Sequence, residues 1–388
     1  MIQDQLSFPG SKGPEMKISS EFPQRENITY LNHAAVSPWP KRTFETVKAF
    51  ADENMLQGAA DYPQWLKVEM ELRGRFQRLL HAESPDDIAL VKNTSEGLSL
   101  VAYGLDWKAG DNIVLTDQEF PSNRIVWESL ERLGVQVRKA VLDADDSPEK
   151  AITSLCDEQT RLVSISSVQF GTGLRLDLNK LGVFCEREGI LFCIDAIQSL
   201  GALQLDVQDV RADFVVADGH KWMLGPEGLA VFYSRPRVRR LLRLHQYGWH
   251  MVKHAGDFDR LKWEEATSGR RFEPGSPNML GIHALNASLS LLEDVGMAQV
   301  ETAVLDNAVW LMRLIGQEPN LKLITPSAGG RFAGIVTFRH QKVDQQALYR
   351  KLMDCGVICA ARGGGIRFSP HFYNTREQLE RAVDMAGA

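Results

Sequence analysis

The sequence predicts an α/β protein with a mainly parallel, seven-stranded sheet covered by helices, followed by a smaller α+β unit. Three observations carry this. Between about Asp86 and Tyr233, short β-branched or apolar runs alternate with stretches of helical periodicity. The runs are apolar nearly throughout, as expected of strands buried on both faces. After Tyr233 the alternation stops, and long helices precede short strands.

Two helices open the chain, TFETVKAFADEN and LKVEMELRGRFQRLLH, each with apolar residues at helical spacing. LQGAADYP between them carries the Gly and Pro of a break. IALV, NIVL, VQVRKAVL, RLVSISSV, ILFCID, FVVAD and LAVFY are the predicted strands. SEGLSLVAYGL, SNRIVWESLERLG, SPEKAITSLCDE and DLNKLGVFCEREG are the helices between them. Beyond Tyr233, MLGIHALNASLSLLEDVG and MAQVETAVLDNAVWLMRLIG read as long helices. LKLI, AGIVTFRH, a helix around QQALYRKLMDCG, GVICA, GIRFS and a last helix TREQLERAVDMA follow. The boundary falls between Glu265 and Pro277, giving an arm over 1–43, a large domain over 44–270 and a small one over 271–388.

Bulk properties narrow the function classes. At ~150 residues per domain, 388 residues suit two or three domains. The formal net charge is -6 with no basic stripe, so a nucleic-acid partner is not expected. The N-terminus lacks an apolar signal core and reads as a loose arm. No apolar run approaches the ~20 residues of a membrane span. Five cysteines are scattered without a CxxC pair, which fits a reducing, cytoplasmic compartment. Nine histidines show no HExxH-like spacing, so no metal site is expected. No GxGxxG follows an early strand, which argues against a dinucleotide-binding enzyme.

Ligands of open parallel sheets bind beyond the carboxyl ends of the strands. Thr94 and Ser95 follow IALV where a helix begins; they suit an anion or a plain N-cap. Phe120 follows NIVL and is either a ring-stacking face or core. Gln169 follows RLVSISSV. Asp195 ends ILFCID as a buried acid, either functional or a cap or salt-bridge partner. Lys221, in DGHKWMLGPEG after FVVA, decides among these readings. A partly desolvated lysine becomes a nucleophilic amine that forms Schiff bases with carbonyls. Lys221, Asp195, Thr94, Ser95, His220 and Phe120 together match the needs of pyridoxal phosphate: an amine, an acid for the ring nitrogen, phosphate donors and an aromatic face.

With IDAIQSLG and DGHKWMLGPEGLAVFY at this spacing, the chain resembles the class V aminotransferases of fold-type I pyridoxal-phosphate enzymes. That group includes cysteine desulfurases, isopenicillin-N-epimerase-like proteins and kynureninases. The resemblance runs from YLNHAAVSP to GIRFSPHFYNT. It implies that the arm over 1–43 joins the small domain and the active site. It implies that Lys221 bears the cofactor and moves protons at the substrate α-carbon, and that Asp195 keeps the pyridinium protonated. Gln198 and Gln169 would bond the phenolic oxygen; Thr94, Ser95 and His220 would bind the phosphate. Ser276, where the family usually has threonine, would reach the phosphate of the partner subunit, which implies a homodimer. Arg367 would clamp the substrate α-carboxylate.

The chain also departs from its relatives. Phe120 stands where desulfurases stack a histidine. Desulfurases need a mobile loop cysteine; the nearest are Cys355 and Cys359, and Cys359 in GVICA reads as core. His33 is either substrate-lining or a turn residue, and Arg362 either a second anion clamp or a turn residue. His245, Tyr247, Trp249, His250 and His254 mark either a partner-facing loop or a solvated one. The expected function is a pyridoxal-phosphate enzyme acting on an amino acid or amine, with transamination favoured. A C–S lyase, desulfurase-like or epimerase activity is the alternative, and a non-catalytic binding protein on the same fold the remote one.

Overall fold

Thirteen strands and the helices between them fill residues 18–142 and 147–388, which the computed structural model describes. Residues 1–17 of the predicted arm lie outside the described residues; its remainder is not loose, since Thr29 and Tyr30 pair with Val357 and Ile358, and Leu31 and His33 are buried. The strands are β1 (Thr29–Tyr30), β2 (Ile88–Val91), β3 (Asn112–Thr116), β4 (Gln136–Ala140), β5 (Thr160–Ser166), β6 (Leu191–Asp195) and β7 (Phe214–Asp218). Then come β8 (Ala230–Ser234), β9 (Leu321–Leu323), β10 (Val336–His340), β11 (Val357–Ile358), β12 (Ala360–Arg362) and β13 (Gly365–Phe368).

Seven of them form the expected sheet, in the order β2-β8-β7-β6-β5-β3-β4. All run parallel except β8, which is antiparallel to both β2 and β7. Side chains alternate between two apolar layers, as the two-residue period of a strand requires. Phe192, Ile194, Val215 and Ala217 face one layer; Cys193, Phe214 and Val216 face the other. The mixed run VQVRKAVL is explained by position. It is the edge strand β4, and its Arg138 and Lys139 pair with Asp157 and Glu128.

Two predicted helices are shorter than their periodicity suggested. SNRIVWESLERLG is α-helical over Ser122–Glu128 and tightens to a 3-10 turn over Ser129–Leu133. SPEKAITSLCDE is helical only over Pro148–Thr153. GVICA is not one strand. It splits into β11, which pairs with β1 of the arm, and β12, which pairs with β13.

The four-stranded sheet β12-β13-β10-β9 packs its own apolar cluster against helices Met297–Gln317 and Arg376–Gly387. The long helices Lys41–Gln57, Tyr62–Leu80 and Met279–Val295 lie against one another. A buried ion pair fastens this layer to the edge of the large sheet. Arg73 donates to both carboxylate oxygens of Glu273 at 2.7 Å, to Glu69 at 2.5 Å and to Ile88 O at 2.9 Å. Glu273 also accepts the Leu90 amide at 2.8 Å. His250 is buried beside this pair, its Nδ1 3.8 Å from Glu273, so the aromatic and histidine-rich loop is only partly solvated. Tyr247 and Trp249 of that loop are exposed. No helix among the described residues is long and apolar enough to cross a membrane.

Candidate active site

Because β2, β3, β5, β6 and β7 share one direction, their carboxyl ends share one edge. Thr94, Phe120, Gln169, Asp195 and Lys221 follow or end these strands and so meet there. Lys221 lies in the connection between the antiparallel strands β7 and β8. Its side chain is buried, with Nζ 5.5 Å from the centroid of the Phe120 ring. Burial lowers the Lys221 pKa below the usual range; the nearby Asp195 carboxylate opposes this and Arg367 reinforces it. Asp195 is buried too, and burial raises its carboxyl pKa, against a 3.0 Å hydrogen bond from the Ile197 amide.

The N-cap question at Thr94 is settled by Asn93. Asn93 Oδ1 accepts the Glu96 amide at 2.9 Å and caps helix Thr94–Gly104. Thr94 Oγ1 is left buried without a partner among the described residues. Ser95 is exposed and donates to Ser122 Oγ at 2.9 Å. His220 Nδ1 lies 2.9 Å from Asp218 Oδ1, off the hydrogen-bond line. Phe120 is 39% exposed, its ring edge-on to Phe170, so it is a free face rather than core.

Gln169 donates through Nε2 to Glu119 at 3.3 Å, and its Oε1 has no partner among the described residues. Glu119 is a site residue the sequence reading missed. It is buried and accepts from Thr116, Asn123 and both the amide and hydroxyl of Ser166. Its only signal was an acid four residues before an asparagine at a strand end, where both could turn inward. Gln198 is already engaged: Oε1 accepts Trp222 Nε1 at 3.0 Å, and Nε2 donates to Ala34 O at 3.1 Å.

Arg367 reaches the same edge from β13. It is buried, donates through Nη1 to Phe170 O at 2.8 Å, and leaves Nε without a partner among the described residues. Burial and the neighbouring Arg362 lower its pKa to about 10, so it remains a cation at neutral pH. Arg362 is exposed on the β12–β13 hairpin, whose Gly363 is pressed against Gly171. His33 behaves differently from a substrate-lining residue. Nδ1 bonds Ser369 O at 2.8 Å and Nε2 bonds the Tyr373 hydroxyl at 2.6 Å, which ties the arm to the chain after β13. Ser276 stands apart, exposed in the loop before helix Met279–Val295.

The sequence profile of the family Aminotransferase class-V matches residues 29–382. The chain belongs to the aminotransferase class-V family. An uncharacterized aminotransferase, YcbU, of Bacillus subtilis is 29% identical over 367 residues, covering 95% of this chain and 96% of the relative. A probable cysteine desulfurase of Methanothermobacter thermautotrophicus is 27% identical, covering 94% of this chain and 95% of its own. Among solved structures, a lysine-to-alanine mutant of C-DES with glycine covalently linked to its PLP cofactor superposes with a TM-score of 0.89. It is 24% identical and covers 97% of this chain and 99% of its own, a likeness of fold. The cystine C–S lyase C-DES in complex with its product cysteine persulfide gives a TM-score of 0.88 at 24% identity, over 94% of this chain and 99% of its own.

The α/β fold, the enzyme class and the pyridoxal-phosphate cofactor of this class-V family are therefore those the sequence led us to expect. The residues present fit that cofactor. Thr94 Oγ1, Gln169 Oε1 and Arg367 Nε are buried polar atoms without protein partners among the described residues. Buried polar atoms are nearly always bonded, so three orphans at one sheet edge, around a buried amine, point to a polar ligand.

Proposed function

We propose that this enzyme acts at the α-carbon of an amino acid, with Lys221 as the cofactor-bearing lysine, and that it breaks a C–S bond at the β-position. The observation that carries the first part is the buried Lys221 beside Asp195, Phe120 and Arg367. When bound, pyridoxal phosphate supplies an aldehyde for the Lys221 amine and a ring that takes up the charge left at Cα. Asp195 holds a proton at the ring nitrogen; its own burial favours sharing that proton. Thr94, Ser95 and His220 bind the phosphate, with the first turn of helix Thr94–Gly104 behind them. Phe120 would cover the ring, and its phenolic oxygen would be met by Gln169 and by the second N–H of Gln198 Nε2, whose first serves Ala34 O.

Arg367 takes the substrate carboxylate through its free Nε edge, which fixes Cα near Lys221. Lys221 Nζ, once released by the substrate amine, removes the Cα proton. The pair left at Cα would then form the Cα–Cβ double bond as the C–S pair leaves on sulfur. Nζ would return the proton to that sulfur, and water would hydrolyse the unsaturated product to pyruvate and ammonia. Two observations favour this over the transamination first expected. Curated relatives that share about a quarter of the sequence are named cysteine desulfurases, and the fold matches a cystine C–S lyase.

A desulfurase that passes sulfur to its own cysteine is less well supported. Cys185, Cys193 and Cys359 are buried, and burial raises the Cys359 thiol pKa to about 12. Cys156 is raised by burial to about 11. Cys355 is the exposed one, at the end of helix Gln345–Asp354, which it caps through its backbone N–H and not its thiol. Transamination remains the second reading, favoured by the aminotransferase name of the Bacillus relative.

The exposed Ser276, in the loop beside Glu273, suits a homodimer in which it reaches the partner's phosphate. The test is spectroscopic. The purified protein with pyridoxal phosphate is expected to show a band near ~420 nm that borohydride abolishes, with the adduct on Lys221. Release of sulfide or persulfide and pyruvate from cystine or cysteine marks the lyase. An oxo-acid-dependent exchange of amino groups without sulfur release marks the transaminase. Lys221→Ala keeping both band and turnover would sink the whole reading.

A further inference from the structure

Three consecutive carbonyls of the lysine loop are held by residues from outside the large sheet. His220 O accepts the Ser37 amide at 2.8 Å. Lys221 O accepts the Ser37 hydroxyl. Trp222 O accepts from His371 Nε2 at 2.9 Å. Ser37 belongs to the N-terminal arm and His371 to the segment after β13. The loop itself is constrained: Leu224, three residues on, has φ 61, a left-handed conformation a non-glycine residue adopts only where its surroundings enforce it. Gly201 passes beneath the same turn, where a Cβ would come within 2.5 Å of Trp222 O.

His371 is built for this contact. Nδ1 accepts the Phe372 amide at 2.8 Å, so the proton of a neutral ring sits on Nε2 and points at Trp222 O. Its backbone is fixed on both sides. The amide donates to Asn374 Oδ1 at 2.8 Å, and the carbonyl accepts Asn307 Nδ2 at 3.0 Å. The ring is fully buried between Trp222 and His33. Neither ring nitrogen is left to meet a substrate, so the side chain acts through the loop it holds.

We propose that His371 is a positioning residue for Lys221, and that with Ser37 it sets the lysine loop by the place of the arm and the C-terminal segment. The proposal rests on the reading of Lys221 as the cofactor-bearing lysine. Its physical content is that losing the His371 donor leaves the buried Trp222 O unpaired, while losing the Ser37 hydroxyl leaves Lys221 O to the Leu224 amide alone at 3.0 Å; either change loosens a strained turn.

The test compares wild type, His371→Leu, His371→Gln and Ser37→Ala. In the cofactor-free protein, amide hydrogen exchange is followed over 219–225. His371→Leu is expected to speed it about fivefold or more, the worth of one buried hydrogen bond; Ser37→Ala is expected to speed it about twofold, because the Leu224 amide still serves Lys221 O; His371→Gln, which keeps an N–H donor, stays near wild type. In the loaded protein, the pH midpoint of the ~420 nm band is expected to move by about half a unit or more in the first two variants only.

Unchanged exchange and midpoint in both His371→Leu and Ser37→Ala overturn the proposal. So does equal behaviour of the Leu and Gln variants, which would reduce His371 to packing. If His371→Leu does not fold, Ser37→Ala against wild type decides. A Lys221→Ala protein that keeps a borohydride-sensitive band refutes the cofactor-bearing role instead, and the exchange data still judge the clamp.

Discussion

At Lys221 the governing term is desolvation. An ammonium removed from water is costly, so burial lowers the pKa of this amine, and the counter-charges of Asp195 and Asp218 offset that only in part. The same physics acts with the opposite sign on Asp195, whose carboxyl is raised. A bound cofactor would answer each separately: its aldehyde would take up the Lys221 amine, and its ring nitrogen would give the Asp195 carboxylate a counter-charge. Arg367 is the complementary case: a buried cation with one edge spent on Phe170 O and Nε unpartnered among the described residues. Arg367→Lys keeps the charge but loses the planar fork, and is expected to raise KM for amino acids about 10- to 100-fold with a smaller change in kcat. Steady-state kinetics with and without the substrate α-carboxylate check this: an amine lacking the carboxylate should not distinguish the two proteins.

Among elements, two connections matter more than their length suggests. The β12–β13 hairpin brings Arg362 and Arg367 together, and its turn fits only without side chains. Gly363 has φ 60, and a Cβ there would lie 2.2 Å from Gly171 O. Gly363→Ala is expected to cost about 1–3 kcal/mol in urea unfolding. Gly363 and Gly364 form the turn of the hairpin, and its close backbone approach is to Gly171. The second connection is Arg73 to Glu273, four residues after Gly269 and three before Ser276. Arg73→Met leaves Glu69 and Glu273 buried and uncompensated, an expected loss of about 3–5 kcal/mol in chemical denaturation. Adding Glu273→Gln to that variant should restore part of it, since one stranded charge is removed. No motif announced this pair, because its partners are 200 residues apart and meet only when helix Tyr62–Leu80 lies on the sheet edge.

Over the whole molecule, buried titratable groups make stability depend on pH. Burial lowers the His371 pKa to about 4, against 6.5 for a free histidine, and His33 is lowered in the same sense by burial and by His371. Between those values the unfolded chain binds more protons than the fold. The contribution of His371 is therefore complete above about pH 6.5 and is lost as pH falls toward 4, with a slope of about 1.4 kcal/mol per pH unit. Asp195 and Glu119, raised by burial, act in the opposite direction over an overlapping range. The clean readout is thus the difference between wild type and His371→Gln. Urea unfolding from pH 5 to 7 should show the variant's stability varying with a slope smaller by about one proton. Sedimentation gives a second check at this scale. If Ser276 completes a partner's site, Ser276→Ala should weaken pyridoxal-phosphate binding, and that effect should vanish at dilutions where the dimer dissociates.

The sequence by itself determined the sheet and the strand ends, and pointed to Lys221 as the candidate amine. Continuous apolar runs can be satisfied only by burial on both faces, and a lysine set between His220 and Trp222 at the end of such a strand is costly to bury without a use. It also carried Asp195, Thr94 and Phe120, because parallel strands bring their carboxyl ends to one edge. Tertiary structure alone decided how those residues are held. Gln198 is engaged by Trp222 and Ala34, His33 by Ser369 and Tyr373, and the lysine loop by Ser37 and His371. These are hydrogen bonds to backbone groups or between distant segments, and a backbone carbonyl leaves no mark in the amino-acid sequence. Periodicity reports which face of an element is buried; which donor meets which carbonyl is fixed only when the arm, the sheet and the C-terminal segment pack together.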